Sequence, residues 1–116
     1  SPFDPSILRL IRGVTRAAEE RGINVSLCGA MASDPLAAAV LVGLGLRDLS
    51  MEAAAIPEIK EALRRVTVAE CESAAEAALA CDSADAVEEL VARHFAPRFY
   101  DLLTGSSVPE GGAPLT

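Results

Sequence analysis

Large aromatic side chains are almost missing from this 116-residue chain, which has no tryptophan and only 3% aromatic residues. Hydrophobic residues still make up 51% of the sequence, because twenty-two residues are alanine. Small side chains favour closely packed helices and supply few large anchors for a core. The length is sufficient for one domain and too short for two.

Basic residues are also scarce, with ten lysines and arginines against seventeen acidic residues and a net charge of −7. No lysine- or arginine-rich run is present, which excludes a typical nucleic-acid-binding surface. The longest apolar run, residues 36–46, contains glycines and is too short to span a bilayer, so no membrane partner is expected. The first residues lack the pattern of a signal peptide, and we expect a cytoplasmic protein.

The three cysteines, at positions 28, 71 and 81, form no close pair and no metal-ligand spacing. This predicts free thiols in a reducing compartment rather than a disulfide or a zinc site. We interpret Cys71 and Cys81 as small core residues of a predicted helix. The single histidine, His94, has no nucleophile or carboxylate partner by spacing, and we interpret it as a structural residue near a helix C-terminus.

Local signals predict helices that alternate with two short strands. Asp4-Pro5 and Asp34-Pro35 are typical helix starts, with aspartate as the N-cap and proline in the first turn. The first helix ends at Gly22 and is predicted to turn an apolar stripe toward the core: Ile7, Leu10, Ile11, Val14, Ala17 and Ala18. The second, residues 36–44, is apolar on nearly every side, which is typical of a helix buried on both flanks.

Alternating polar and apolar residues predict strands over residues 23–28 and 46–51. In the first strand Asn24, Ser26 and Cys28 share one face, and Ile23, Val25 and Leu27 share the other. The order helix, strand, helix, strand favours a parallel sheet with right-handed crossovers. Further helices are predicted from Pro57, from the capping box that begins at Thr67, and from Ser83, followed by a disordered tail.

Two parallel strands do not form a stable sheet alone, so the fold is predicted to be a helix-rich piece of a larger α/β barrel. Without the rest of such a barrel, helix 36–44 is expected to expose a large apolar patch and the chain to self-associate. Cys28 would lie at the carboxyl end of a strand, where parallel barrels carry their chemistry.

Three sequence blocks resemble a known family. Residues 28–35 (Cys-Gly-Ala-Met-Ala-Ser-Asp-Pro), 43–51 (Gly-Leu-Gly-Leu-Arg-Asp-Leu-Ser-Met) and 56–60 (Ile-Pro-Glu-Ile-Lys) are similar, in this order, to the C-terminal part of phosphoenolpyruvate–protein phosphotransferases, Enzyme I of the bacterial sugar phosphotransferase system. The resemblance implies a transferase built on a (β/α)8 TIM barrel. Residues 1–81 would carry its seventh and eighth strands with their helices, residues 82–104 a C-terminal helix, and residues 105–116 a disordered tail.

The resemblance also implies a site. Cys28 would donate a proton to the carbon of enolpyruvate, with Gly29 and, more weakly, Asp34 near the substrate. The implied partners are phosphoenolpyruvate or pyruvate, a histidine-containing phosphocarrier protein and a second subunit in a homodimer. Magnesium would be bound in the parent enzyme by residues outside this chain, and the isolated chain would be inactive.

One position departs from the family pattern, because Ala30 stands where the family has glutamate after Cys-Gly. A methyl group neither accepts a hydrogen bond nor carries a charge. Two hypotheses therefore remain open: a diverged but working phosphotransferase, or a non-catalytic barrel remnant kept for dimerisation or regulation.

Overall fold

A computed structural model describes residues 3–104, without the side chains of Ala30 and of residues 102–104. The predicted tail, residues 105–116, lies outside this described part. The chain has five α-helices and two strands in the order α1 (Pro5–Arg21), β1 (Ser26–Cys28), α2 (Pro35–Gly43), β2 (Asp48–Ser50), α3 (Ile56–Arg64), α4 (Val68–Leu79) and α5 (Ala84–Thr104). Two 3₁₀ helices that the sequence analysis missed follow the strands, at Ala30–Ser33 and Ala53–Ala55.

The predicted helix caps are confirmed. The Asp4 side chain accepts a hydrogen bond from the backbone N–H of Ser6, and Gly22 ends α1 in the left-handed conformation, with φ at 65°. A capping box at Thr67 and Glu70 begins α4, where each side chain accepts a hydrogen bond from the other residue's backbone N–H. Local chemistry therefore determines where these helices begin and end.

The two strands form a parallel pair, as predicted, with Leu27 opposite Leu49 and Cys28 opposite Ser50. Both leucines are partly buried and pack against the core, while Cys28 and Ser50 on the other face are exposed. The strands are shorter than predicted, because pairing in the described part covers only three residues of each. Ile23 lies before β1 and is 57% exposed.

Helix α2 lies at the centre of the chain, packed against α3, α4 and α5. Its burial on both flanks is confirmed, since residues 37–41 are at most 1% exposed. The expected apolar patch on this helix is wrong, because the three C-terminal helices of the same chain cover it. Large side chains from these helices complete the core: Val87, Val91, Phe95 and Phe99.

The orientation of α1 also differs from the prediction. It buries Leu8, Thr15 and Ala18, whereas the predicted core residues Ile7, Leu10 and Val14 are 41%, 65% and 46% exposed. Polar contacts fix this orientation. The Arg9 guanidinium donates hydrogen bonds to the carbonyl of Leu79, the last residue of α4 (3.1 Å), and to that of Cys81, which follows the helix (3.1 Å). Thr15 Oγ1 donates one of 2.6 Å to the Leu44 carbonyl. Hydrogen bonds thus select one of two apolar sides of the helix.

Helix α5 runs through Pro97 to Thr104, so His94 lies inside the helix and the expectation that it sits near a C-terminus is wrong. The part after the proline is anchored by tertiary contacts. Phe95 and Phe99 stack with ring centroids 5.5 Å apart, and Arg65 bonds Asp101 at 2.5 Å. The hydrogen bonds that Arg65 donates to the carboxylates of Asp101 and Glu61 raise the pKa of Arg65. These contacts offset the backbone hydrogen bond that proline cannot donate.

Candidate functional site

The carboxyl ends of the two strands lie side by side. Cys28 is opposite Ser50 in the parallel register, and the backbone N–H of Gly29 donates a hydrogen bond of 3.4 Å to the Ser50 carbonyl. Because side chains alternate along a strand, the thiol and the hydroxyl emerge on the same face, away from the buried leucines. The sequence therefore places two polar groups at one edge of the sheet.

A sharp turn follows Cys28. Gly29 has φ of 116° and ψ of −164°, a conformation that residues with a Cβ rarely adopt. Its carbonyl accepts hydrogen bonds from the backbone N–H of Ala32 at 3.2 Å and from Ser33 Oγ at 3.5 Å. The turn leads the chain from β1 into α2 without filling the space beyond the strand ends.

An open cavity of about 440 Å³ lies at these strand ends. Its lining consists of Cys28, Gly29, Ser33, Ser50, Met51 and Glu52. It offers one thiol, two hydroxyls and one carboxylate, which can exchange protons with a small polar ligand or accept and donate hydrogen bonds. The predicted residues Cys28 and Gly29 both line this cavity, and four further lining residues were not predicted from the sequence: Ser33, Ser50, Met51 and Glu52.

The register of the parallel strands explains why Ser50, Met51 and Glu52 line the same cavity as Cys28. Once Cys28 and Ser50 are aligned, the residues that follow each strand approach the same edge, and Glu52 takes the place in the second unit that Ala30 takes in the first. The sequence shows a carboxylate after the second strand, but only the pairing of the strands shows which cavity it lines.

Asp34, the third predicted site residue, does not line this cavity. One of its carboxylate oxygens accepts hydrogen bonds from the backbone N–H groups of Leu36 (2.9 Å) and Ala37 (3.2 Å), the first turn of α2. Asp34 is therefore the N-cap that the sequence predicts, and its contribution to substrate binding stays a prediction.

The three thiols differ in environment. Cys28 is exposed, Cys71 is buried and Cys81 is intermediate, and all three are free. Burial raises the pKa of the Cys71 thiol to about 11, and Cys81 Sγ donates a hydrogen bond of 3.5 Å to the Ala77 carbonyl. Both contact the core, as predicted. Cys28 is the exposed thiol of the three, and it lines the cavity at the strand ends.

Metal binding finds no support within residues 3–104, where no group of three or more His, Cys, Asp or Glu side chains could hold an ion. Among the residues that line the cavity at the strand ends, Glu52 is the one with a carboxylate. A single carboxylate with neighbouring hydroxyls does not supply the ligand set for magnesium.

A second cavity, of about 410 Å³, lies at the opposite ends of the strands. Three arginines and four acidic residues line it: Arg12, Arg16, Arg47, Glu19, Asp48, Glu72 and Glu76. Arg12 is paired with Glu76 at 2.7 Å, and Arg47 donates hydrogen bonds to the carbonyls of Val42 and Leu46. Acidic side chains thus outnumber the arginines in its lining, and two of the three arginines already have partners.

Comparison with known proteins decides the family. Residues 1–68 match the model of the PEP-binding domain of PEP-utilising enzymes, where PEP is phosphoenolpyruvate. The chain belongs to this family. The PEP-utilising family model covers α1, both strands, α2 and α3, and it ends at the start of α4. The match confirms the resemblance that the three sequence blocks carry.

Curated relatives of the chain include the phosphoenolpyruvate-protein phosphotransferase of Streptomyces coelicolor, 45% identical over 84 residues. That alignment covers 72% of the chain and 15% of the relative. The multiphosphoryl transfer protein of Rhodobacter capsulatus is 48% identical over 86 residues, which cover 74% of the chain and 10% of the relative. The chain thus spans a small part of the proteins that it resembles. Within residues 3–104, no helix combines the length and apolar character needed to cross a bilayer.

Proposed function

We propose that the chain is the C-terminal segment of a phosphoenolpyruvate–protein phosphotransferase and supplies the last two strand–helix units of its (β/α)8 barrel. The observation that carries the proposal is the position of Cys28: an exposed thiol at the carboxyl end of a parallel strand, beside an open cavity. Parallel barrels carry their chemistry at this end of their strands. In the barrel, Ser26, Cys28, Asp48 and Ser50 face the interior.

The proposed role of Cys28 is proton donation. In the reaction, the P–O bond of PEP breaks while a histidine supplied by the rest of the enzyme gains the phosphoryl group. The electron pair left on oxygen gives the enolate of pyruvate. The methylene carbon of the enolate then takes the proton of the Cys28 thiol, and water returns a proton to the thiolate before the next turnover. A thiol is a competent general acid for this step.

The neighbours of Cys28 have positioning roles in this proposal. Gly29 keeps the approach to the sulfur open because it has no side chain, and Ser50 offers a hydroxyl on the same face. Glu52 is the carboxylate of the cavity. We place the partners with the whole enzyme: PEP and pyruvate at this cavity, a histidine-containing phosphocarrier protein, magnesium, and a second subunit. A cytoplasmic location accompanies this function.

The test uses a chimera, in which this chain replaces the matching segment of the Streptomyces coelicolor phosphotransferase. We expect the chimera to phosphorylate the phosphocarrier protein with PEP as donor. Cys28→Ser should slow turnover by about 10²–10⁴-fold, the range for loss of a general acid. Cys81→Ser, a matched change away from the cavity, should keep the rate. Equal rates for the two variants would remove Cys28 from the mechanism.

The alternative function is a non-catalytic barrel remnant, and Ala30 is the observation that favours it. If the reaction needs the carboxylate that Ala30 replaces, the chimera should fold but should not transfer the phosphoryl group. In that case Ala30→Glu does not restore transfer. A chimera that is active with Ala30 in place excludes the remnant.

A further inference from the structure

The cavity at the strand ends is lined by charge of one sign. Among the described residues of its lining, Glu52 is the one acidic residue, and no lysine, arginine or histidine accompanies it. Phosphoenolpyruvate is itself an anion, and a wall without a cation does not balance the charge of its phosphate and carboxylate. This part of the wall therefore suits an uncharged part of the substrate.

The charge of Glu52 is not neutralised by its own chain. The side chain does not cap the 3₁₀ helix Ala53–Ala55, and among the described residues the carboxylate has no ion-pair partner. The backbone of Glu52 is held at the end of β2, because its carbonyl accepts a hydrogen bond of 2.9 Å from the N–H of Ala55. Ala30, the corresponding residue after β1, adds no charge. The cavity therefore faces one unpaired carboxylate.

The methylene group of phosphoenolpyruvate is the uncharged part that would face this wall. That orientation rests on the proposed function, in which Cys28 donates its proton to the methylene carbon. Ser50 lies opposite Cys28 in the register, and Glu52 follows Ser50 by two residues. A ligand in this cavity of about 440 Å³ lies within about one Debye length of Glu52, about 8 Å at physiological ionic strength. Salt therefore screens the carboxylate from the ligand only in part.

We infer that Glu52 is a specificity-determining residue, which rejects ligands that carry a second carboxylate on the methylene carbon. Such a carboxylate would lie on the side of Cys28 and Glu52, where it meets a like charge and no cation. Phosphoenolpyruvate and pyruvate have only hydrogen on this carbon, so they meet no repulsion. Repulsion between like charges is a common means of excluding wrong partners from a site. The discrimination is then by charge rather than by size.

The experiment measures the binding of three 2-oxo acids to the Streptomyces chimera by calorimetry, with magnesium in excess. Pyruvate is the reference. On the methyl carbon of pyruvate, 2-oxobutyrate adds a neutral methyl group and oxaloacetate adds a carboxylate. We expect Glu52→Gln to raise the affinity for oxaloacetate relative to pyruvate by about tenfold, because one like-charge contact is removed from a partly closed site. The affinity for 2-oxobutyrate relative to pyruvate should not change.

Glu58→Gln is the matched control, because Glu58 is an exposed glutamate of α3 outside the cavity lining. It should leave the relative affinities of all three acids unchanged. Glu52→Lys reverses the charge and should favour oxaloacetate beyond the level of the glutamine variant. Salt at about 1 M should reduce these differences, since it shortens the Debye length to about 3 Å.

The inference is overturned if Glu52→Gln changes the oxaloacetate-to-pyruvate ratio no more than Glu58→Gln does, or if it changes the 2-oxobutyrate ratio equally. It is also overturned if the folded chimera binds none of the three acids. A chimera that transfers the phosphoryl group but shows no effect of Glu52 contradicts the inference alone. A chimera that shows the Glu52 effect but transfers no phosphoryl group supports the inference and contradicts the proposed function.

Discussion

Helices α2 and α4 approach each other closely at Gly43. Gly43, the last residue of α2, faces the backbone of Cys71. A Cβ built on Gly43 would overlap the Cys71 carbonyl oxygen and lie 2.5 Å from its carbonyl carbon and 2.9 Å from the Cβ of Ala75. Because two of these atoms are backbone, no rotation of a side chain relieves the clash. We therefore predict that Gly43→Ala destabilises the protein.

The magnitude follows from the displacement that the methyl group requires. Ordinary carbon contacts begin at about 3.4 Å, so α2 and α4 must separate by about 1 Å. Overpacking of this kind costs about 1–3 kcal/mol and occasionally more. Alanine returns at most about 1 kcal/mol through its helix propensity. With a rigid backbone opposite, we expect a net loss of about 2 kcal/mol, or about 8 °C in Tm for a domain of this size.

Urea unfolding followed by circular dichroism measures this loss, with Gly13→Ala as the matched control. Gly13 lies within α1, and a Cβ there meets no atom within 4 Å. That variant should gain about 0.4–1 kcal/mol because alanine reduces the freedom of the unfolded chain. A Gly43→Ala variant as stable as the parent, with an unchanged m value, would refute the close approach of the two helices.

Three other perturbations have defined outcomes. Ala30→Glu in the chimera should keep or raise phosphotransfer; a fall in Tm of the chimera without a gain in activity would favour the barrel remnant. Asp34→Asn retains the N-cap, so the midpoint of the chain should hold, and a raised KM for PEP in the chimera would indicate that this carboxylate also binds substrate. The pKa of Cys71 is raised to about 11 in the folded protein, so its stabilisation is complete below the unfolded value of about 8.5 and is lost as pH rises toward 11. Between pH 7.5 and 10 this amounts to about 2 kcal/mol in urea unfolding, and Cys71→Ala should show a correspondingly smaller loss over that interval.

Helix boundaries were predictable because short-range chemistry determines them. Asp4, Asp34 and Thr67 each accept hydrogen bonds from backbone N–H groups two or three residues further along the chain. The continuation of α5 through Pro97 was not predictable in this way, because contacts distant in sequence stabilise it. The side of α1 that faces the core was also mispredicted. Apolar residues occupy a wide arc of this helix, so their pattern does not show which part of the arc is buried.

Two of the six residues that line the cavity, Cys28 and Gly29, were predicted from the sequence. Alternation along β1 and the glycine after Cys28 identify a strand end with a thiol, and both signals are local. Ser50 and Glu52 join the cavity only because β2 pairs with β1 in a register that puts Ser50 opposite Cys28. The order of the elements predicts that the strands pair, but the register of that pairing is a tertiary property that residue patterns do not specify.

The stereochemistry of proton transfer tests the role of Cys28 most directly. The chimera converts PEP that carries one deuterium at a defined position of its methylene group, in tritiated water, and the chirality of the resulting methyl group of pyruvate is measured. A fixed thiol delivers its proton to one face of the enolate, so the chimera with Cys28 should give a single configuration. Cys28→Ser should give equal amounts of both, because the enolate then takes its proton from solvent. A single configuration from the serine variant would contradict the assignment of Cys28 as the proton donor.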